Sequence, residues 1–158
     1  MAAFETAFGR VLQHEGGYVD DPNDPGGETK YGISKRSYPE VDVRNLTHQQ
    51  AGRLYRRDYW EKIHGDEIEP QDVAENVFDF AVNAGVPRAV RTLQRLLGID
   101  VDGNFGPATL RAVNQAEGLK LNLRYALARI DYYNELARKK SSMRPYLIGW
   151  TKRALAHV

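Results

Sequence analysis

No cysteine occurs among the 158 residues, so no disulfide braces the fold and no thiolate is available as nucleophile or metal ligand. Long apolar runs are missing too. No segment reaches the roughly 20 apolar residues that cross a bilayer. The first fifteen residues, MAAFETAFGRVLQHE, carry Glu5 and Arg10 inside an amphipathic pattern instead of the apolar block of a signal peptide. The expectation is a chain synthesised in the cytoplasm, without stable membrane insertion, whose work outside would use an export route it does not encode. There is no serine elbow, phosphate-binding glycine loop or Rossmann glycine pattern. His14-Glu15 runs into Gly16, Gly17 and Tyr18 with no second histidine one turn on, which excludes a zincin helix, and His48, His64 and His157 fall in separate segments. Asp100, Asp102 and Asn104 alternate as in a calcium loop, but the glycine stands at loop position four and Arg111 at position twelve, which excludes that site. No metal and no cofactor is expected.

What is present fits one globular domain of mainly α class: 42% hydrophobic and 27% charged residues, enough to bury a single core. The formal charge of +1 conceals an asymmetry. Residues 1–84 hold nine Lys or Arg against sixteen Asp or Glu, and residues 85–158 thirteen against five. The basic second part either faces something anionic or balances its acidic neighbour within one fold. It lacks a recognition helix beside an aromatic platform, so no nucleic-acid partner is expected.

Phe4, Phe8, Val11 and Leu12 lie at helical spacing, and the glycine pair Gly16-Gly17 ends that first helix. Thr47-His48-Gln49-Gln50 has the form of a capping box ahead of Ala51, Leu54 and Tyr55, with Trp60 closing the segment near the core. Pro70 opens the most apolar stripe, Val73, Val77, Phe80, Ala81 and Ala84, which reads as the central helix. Its polar exceptions are Asn76, Asp79 and Asn83. Pro87 starts a helix that Gly98 stops, with Arg88, Arg91 and Arg95 outward, and a short helix follows over 108–116. A longer one over 120–138 places Leu123, Leu127 and Ile130 inward, with Arg124, Arg129 and Arg138 outward. Lys139 to Pro145 reads as a basic linker before a closing helix with Trp150 in the core.

The stretch HEGGYVDDPNDPGGETKYGIS, His14 to Ser34, departs from this packing pattern. Asp-Pro and Pro-Gly-Gly mark tight turns, and Thr29, Tyr31 and Ile33 alternate as in a small hairpin within 18–34. Glu15 stands where the first helix ends, at the negative end of its dipole and beside the core, a setting that favours a protonated acid. An exposed glutamate beside a glycine cap is the plain alternative. Asp24, nine residues on, can fold back to face it, Asp20 and Asp21 are further loop acids, and Thr29 offers a hydroxyl to place a water. A protonated acid opposite a second carboxylate is the arrangement glycoside hydrolysis requires.

The run EGGYVDDPNDPGGETKYGIS (Glu15 to Ser34) resembles the start of the glycoside hydrolase family 108 domain, a lysozyme-like muramidase group of phage endolysins and bacterial secretion activators. The likeness continues through LYRRDYW (Leu54 to Trp60), FDFAVNAG (Phe78 to Gly85), LQRLLGIDVDGNFGPATLRAVN (Leu93 to Asn114) and RPYLIGWTKR (Arg144 to Arg153). The later half is similar to the peptidoglycan-binding-like portion that accompanies this segment in the family.

The resemblance implies a mainly α, compact lysozyme-like domain. Within it, residues 1–84 would hold the catalytic glutamate and central helix, and residues 85–158 a basic peptidoglycan-binding-like portion. It implies hydrolysis of the β-1,4 bond between N-acetylmuramic acid and N-acetylglucosamine. The family's glutamate falls on Glu15, and similarity to phage lysozymes adds Asp24 and Thr29. Tyr18, Tyr31 and Tyr125, with Asn76 and Asn83, are the candidate groove residues for sugar stacking and acetamido hydrogen bonds. The expected partners are peptidoglycan glycan strands and the anionic cell envelope, met by a monomer in the periplasm or cell wall. A non-catalytic wall-binding module, a structural component of a phage or secretion particle, and a lytic transglycosylase are the alternatives.

Overall fold

The computed structural model describes residues 1–22 and 26–158. Its order is α1 (Phe4–His14), a hairpin of β1 (Thr29–Lys30) and β2 (Ile33–Ser34), α2 (His48–Tyr55), α3 (Gln71–Ala84), α4 (Val86–Leu97), α5 (Pro107–Gln115), α6 (Gly118–Lys139) and α7 (Leu147–Leu155). The expected mainly α body with a small hairpin is what forms.

The core is built on α3. Every side chain from Val73 to Ala81 is buried, because α1, α4 and α6 all pack against this one helix. α1 contributes Phe4, Ala7, Phe8 and Val11. Its first turn has no side-chain cap of its own. Instead the Ala3 N–H donates to Gln71 Oε1 at 2.6 Å and Gln71 Nε2 returns a bond to the Ala3 carbonyl, which ties the starts of α1 and α3 together. α2 starts in the expected capping box: Gln50 N–H donates to Thr47 Oγ1, and Thr47 N–H to Gln50 Oε1. A π turn over Arg56–Trp60 then delivers Trp60, fully buried, against Phe4 and Phe78. Gly98 ends α4 in the left-handed conformation, as its position predicts.

The long helix α6 faces the core with a different stripe from the one expected. Leu123 and Leu127 are 45% and 61% exposed, whereas Leu121, Tyr125, Arg129, Tyr133 and Ala137 are buried. The buried set recurs every four residues, and turning the helix this way encloses two large aromatic bodies. It also buries Arg129, which a buried carboxylate partner makes affordable. Lys139 to Pro145 is not a plain linker, since Ser141–Tyr146 forms a 3-10 turn into α7. Trp150 is half-buried, stacked between Tyr133 and Tyr146 at 5.2 and 5.6 Å rather than enclosed in the core.

Candidate active site

α1 ends at Glu15, whose backbone is already extended (φ −98°, ψ 137°), so the side chain leaves the helix and turns toward the hairpin. The hairpin turn is Tyr31-Gly32, and both residues have positive φ, 52° and 75°. That pair of left-handed residues is what a two-residue type I′ connection requires. Gly32 is needed twice over: a methyl group there would stand 2.9 Å from Glu15 Oε2 and would collide with the Tyr55 hydroxyl. Tyr31 is an unusual residue for that conformation, and its carbonyl is held by a 2.9 Å bond from the Tyr55 O–H. Glu15, the turn and Tyr55 thus meet at one corner. Burial, together with the nearby Glu15 carboxylate, holds the Tyr55 phenol well above its ordinary pKa, so it acts here as a neutral donor.

Behind Glu15 lies a chain of buried polar groups. Arg153 on α7 places Nη1 3.3 Å from Glu15 Oε1 and grips Asp79 from Nε at 2.9 and 3.0 Å and from Nη2 at 2.8 Å. Asp79 is fully buried and also meets Arg129 Nη2 at 2.6 Å and His157 Nε2 at 3.4 Å. Burial alone would push this carboxyl upward, but His157, Arg129 and Arg153 overturn that and hold it far below the usual carboxylate range. Arg129 continues the chain through Nη1 to Asn76 Oδ1 (2.7 Å) and through Nη2 to the Tyr133 hydroxyl (3.2 Å). The neighbouring His14 imidazole is pushed below its ordinary value by desolvation and then by the Arg153 charge.

The expected site residues divide into three groups. Glu15 stands at the hairpin turn, and Thr29 lies in β1 at the other end of the hairpin: it pairs with Ser34 across the two strands and with Val19 on its other side, and its Oγ1 donates to the Gly27 carbonyl at 3.3 Å. Tyr18 is exposed nearby, its hydroxyl donating to Glu28 at 2.9 Å and its ring covered by Arg44. Tyr31 is half-buried, with its ring against His48. Asp24 lies outside the described residues.

Tyr125 and Asn76 are not groove residues. Tyr125 is completely buried and donates to the Ala89 carbonyl, so no sugar can stack on it. Asn76, equally buried, donates to Asn122 Oδ1 and accepts from Arg129. Both belong to the interior because α6 presents Tyr125 and Asn122 to α3. Asn83 is half-buried and already accepts a 2.6 Å bond from the Tyr133 hydroxyl. Glu15 also departs from its expected setting, since a cation rather than an apolar wall stands against it. A hollow lined by Glu40, Asp42, Gln50 and Arg53 does not include Glu15.

Sequence reasoning missed Arg153, Asp79, Arg129 and Tyr55. One signal was available: an aspartate inside the most apolar helix has to find buried cations, and the arginines of the basic second part were the only large supply. Nothing in the spacing indicated which of them.

Residues 8–85 match the family model of glycosyl hydrolase 108, and residues 88–155 match a model described as a predicted peptidoglycan domain. The chain is also similar to SagA of Brucella abortus, whose solved structure aligns with a TM-score of 0.73 at 34% identity, over 98% of this chain and 94% of that one. No curated protein sequence matches. The helical body, the hairpin and both matched segments define a lysozyme-like protein that acts on peptidoglycan. The chain belongs to the glycosyl hydrolase 108 family.

Proposed function

We propose that the protein is a muramidase, hydrolysing the β-1,4 bond between N-acetylmuramic acid and N-acetylglucosamine, with Glu15 as the general acid. The observation that carries this reading is the state of Glu15. In a glycoside hydrolase family member, it is the carboxylate at the hairpin corner, 22% exposed, seated on a glycine and held from behind. Part of the carboxyl stays in solvent while Arg153 and Gly32 hold the rest. In its protonated form Glu15 donates to the glycosidic oxygen as the bond to the anomeric carbon breaks. Asp24 and Thr29 place the attacking water, Thr29 through the hydroxyl lone pairs that its bond to Gly27 leaves free. Tyr18 and Tyr31 contact the sugars. The basic second part draws a monomeric enzyme to the anionic wall, and its work is in the periplasm or cell wall.

The test is digestion of purified peptidoglycan by the parent chain and by Glu15→Gln, with reducing ends counted and products weighed by mass spectrometry. Hydrolysis by the parent, with at least a hundredfold loss in the variant, is the expected outcome for removal of an acid worth about 10²–10⁴-fold. Products ending in 1,6-anhydro sugars would make the enzyme a lytic transglycosylase. Binding without any soluble product would reject catalysis and leave a wall-binding protein. Full activity in Asp24→Asn would remove Asp24 and direct attention to Asp20 and Asp21.

A further inference from the structure

We propose that Arg153, supplied by the portion of the chain that matches the peptidoglycan-domain model, is a positioning residue for Glu15, so that the two family segments form one catalytic unit. The inference rests on the reading of Glu15 as the glycosidic acid.

Arg153 lies 138 residues from Glu15 in sequence, yet its Nη1 stands 3.3 Å from Glu15 Oε1. The rest of its guanidinium is already engaged. Nε bonds both oxygens of Asp79, at 2.9 and 3.0 Å, and Nη2 pairs with Oδ1 at 2.8 Å. Asp79 is in turn held by Arg129, which is anchored to Asn76. The guanidinium plane is therefore set by three buried residues before any substrate arrives, and Arg153 itself is only 11% exposed. A side chain recruited to bind an anionic wall would stand free in solvent. This one faces inward and spans two carboxylates, a task that suits a planar fork of donors and not a single ammonium.

The local chain gives Glu15 little restraint of its own. It follows the last helical residue and precedes two exposed glycines, so its side chain would otherwise sample several rotamers. Pinning Oε1 to a fixed cation leaves Oε2 against Gly32 and removes that freedom, which is the preorganisation a catalytic acid needs. Among the described residues, the charged and titratable groups around the carboxyl are His14 on α1, Tyr55 and Tyr59 after the hairpin, and Arg153 on α7, with Asp79 and His157 behind the arginine.

The experiment measures kcat and KM on purified peptidoglycan for the full chain, Glu15→Gln, Arg153→Lys and Arg153→Met, with thermal melting and wall pelleting on each. Arg153→Lys keeps a charge but cannot span both carboxylates, and its kcat falls about tenfold with KM within about twofold of the parent. Arg153→Met falls further in kcat, again with KM within about twofold of the parent. Pelleting is unchanged in both. An unchanged kcat in Arg153→Lys overturns the proposal, as does a change confined to KM or pelleting, which would make Arg153 a wall-contacting residue. Should Arg153→Met lose its cooperative melting transition, Arg153→Lys decides alone. No cleavage by the parent rejects the reading of Glu15 and this inference with it. Cleavage that is lost in Glu15→Gln but intact in Arg153→Lys rejects the inference alone.

Discussion

Single residues at this site are constrained from more than one direction, and Gly32 shows how. Its φ of 75° lies in the region that suits glycine, and its missing side chain lets Glu15 and Tyr55 close over the turn. Gly32→Ala adds left-handed strain of about 1 kcal/mol and a steric conflict of about 1–3 kcal/mol. A fall in thermal midpoint with a loss of activity is expected, and calorimetry with a digestion assay checks both. Asp79 is the more severe case. Two guanidinium groups converge on it in a fully buried place, so Asp79→Asn leaves them facing no anion at a cost of about 3–5 kcal/mol. Urea denaturation that found a near-neutral variant would contradict the buried network. Glu15 was readable from its place after an amphipathic stripe and before two glycines. Asp79 was visible only as a polar exception, because the cations that explain it come from α6 and α7.

Among the elements, α6 separates local from tertiary information. Its existence and length follow from periodicity, and the sequence-based reading of 120–138 lies inside the observed Gly118–Lys139. Which face it buries does not follow, since leucines, tyrosines and an arginine compete for the interior and the winner depends on what α3 offers. Leu127→Lys should therefore change stability by no more than about 0.5 kcal/mol, as at other exposed positions. Tyr125→Ala should cost about 3–5 kcal/mol by opening a cavity. Equal losses in the two variants, read by thermal unfolding, would refute the rotated face. Caps are more local. The Thr47–Gln50 box forms as the four residues suggest, because both partners lie within one helical turn.

At the scale of the molecule, the acidic first part and the basic second part do more than balance a net charge. Arg129 and Arg153 reach back from the second part to Asp79 and Glu15 of the first, so some of the asymmetry is spent in the interior. Asp79 is held below its ordinary range, so its contribution to stability is present above the unfolded carboxyl pKa of about 3.9 and is lost as pH falls below that value. A lower thermal midpoint at pH 3 than at pH 6 is expected, and equal midpoints would speak against a native charge cluster. The arginines that remain outward on α4, Arg88, Arg91 and Arg95, are exposed and screened by salt. Adsorption to wall should weaken between about 50 and 300 mM salt, measured by pelleting.

By itself the sequence determined the helical class, the central role of α3, the capping of α2, the hairpin near 18–34 and the candidacy of Glu15. Each of these rests on residues within a few turns of one another, where periodicity, glycine and proline act locally. The partners of Glu15 and Asp79, the buried face of α6 and the exclusion of Tyr125 and Asn76 from any groove were decided by tertiary structure alone. Those outcomes turn on which charges and aromatic bodies meet across contacts 36 to 138 residues apart. A buried charge settles wherever the fold supplies its counter-charge, and no local pattern carries that information.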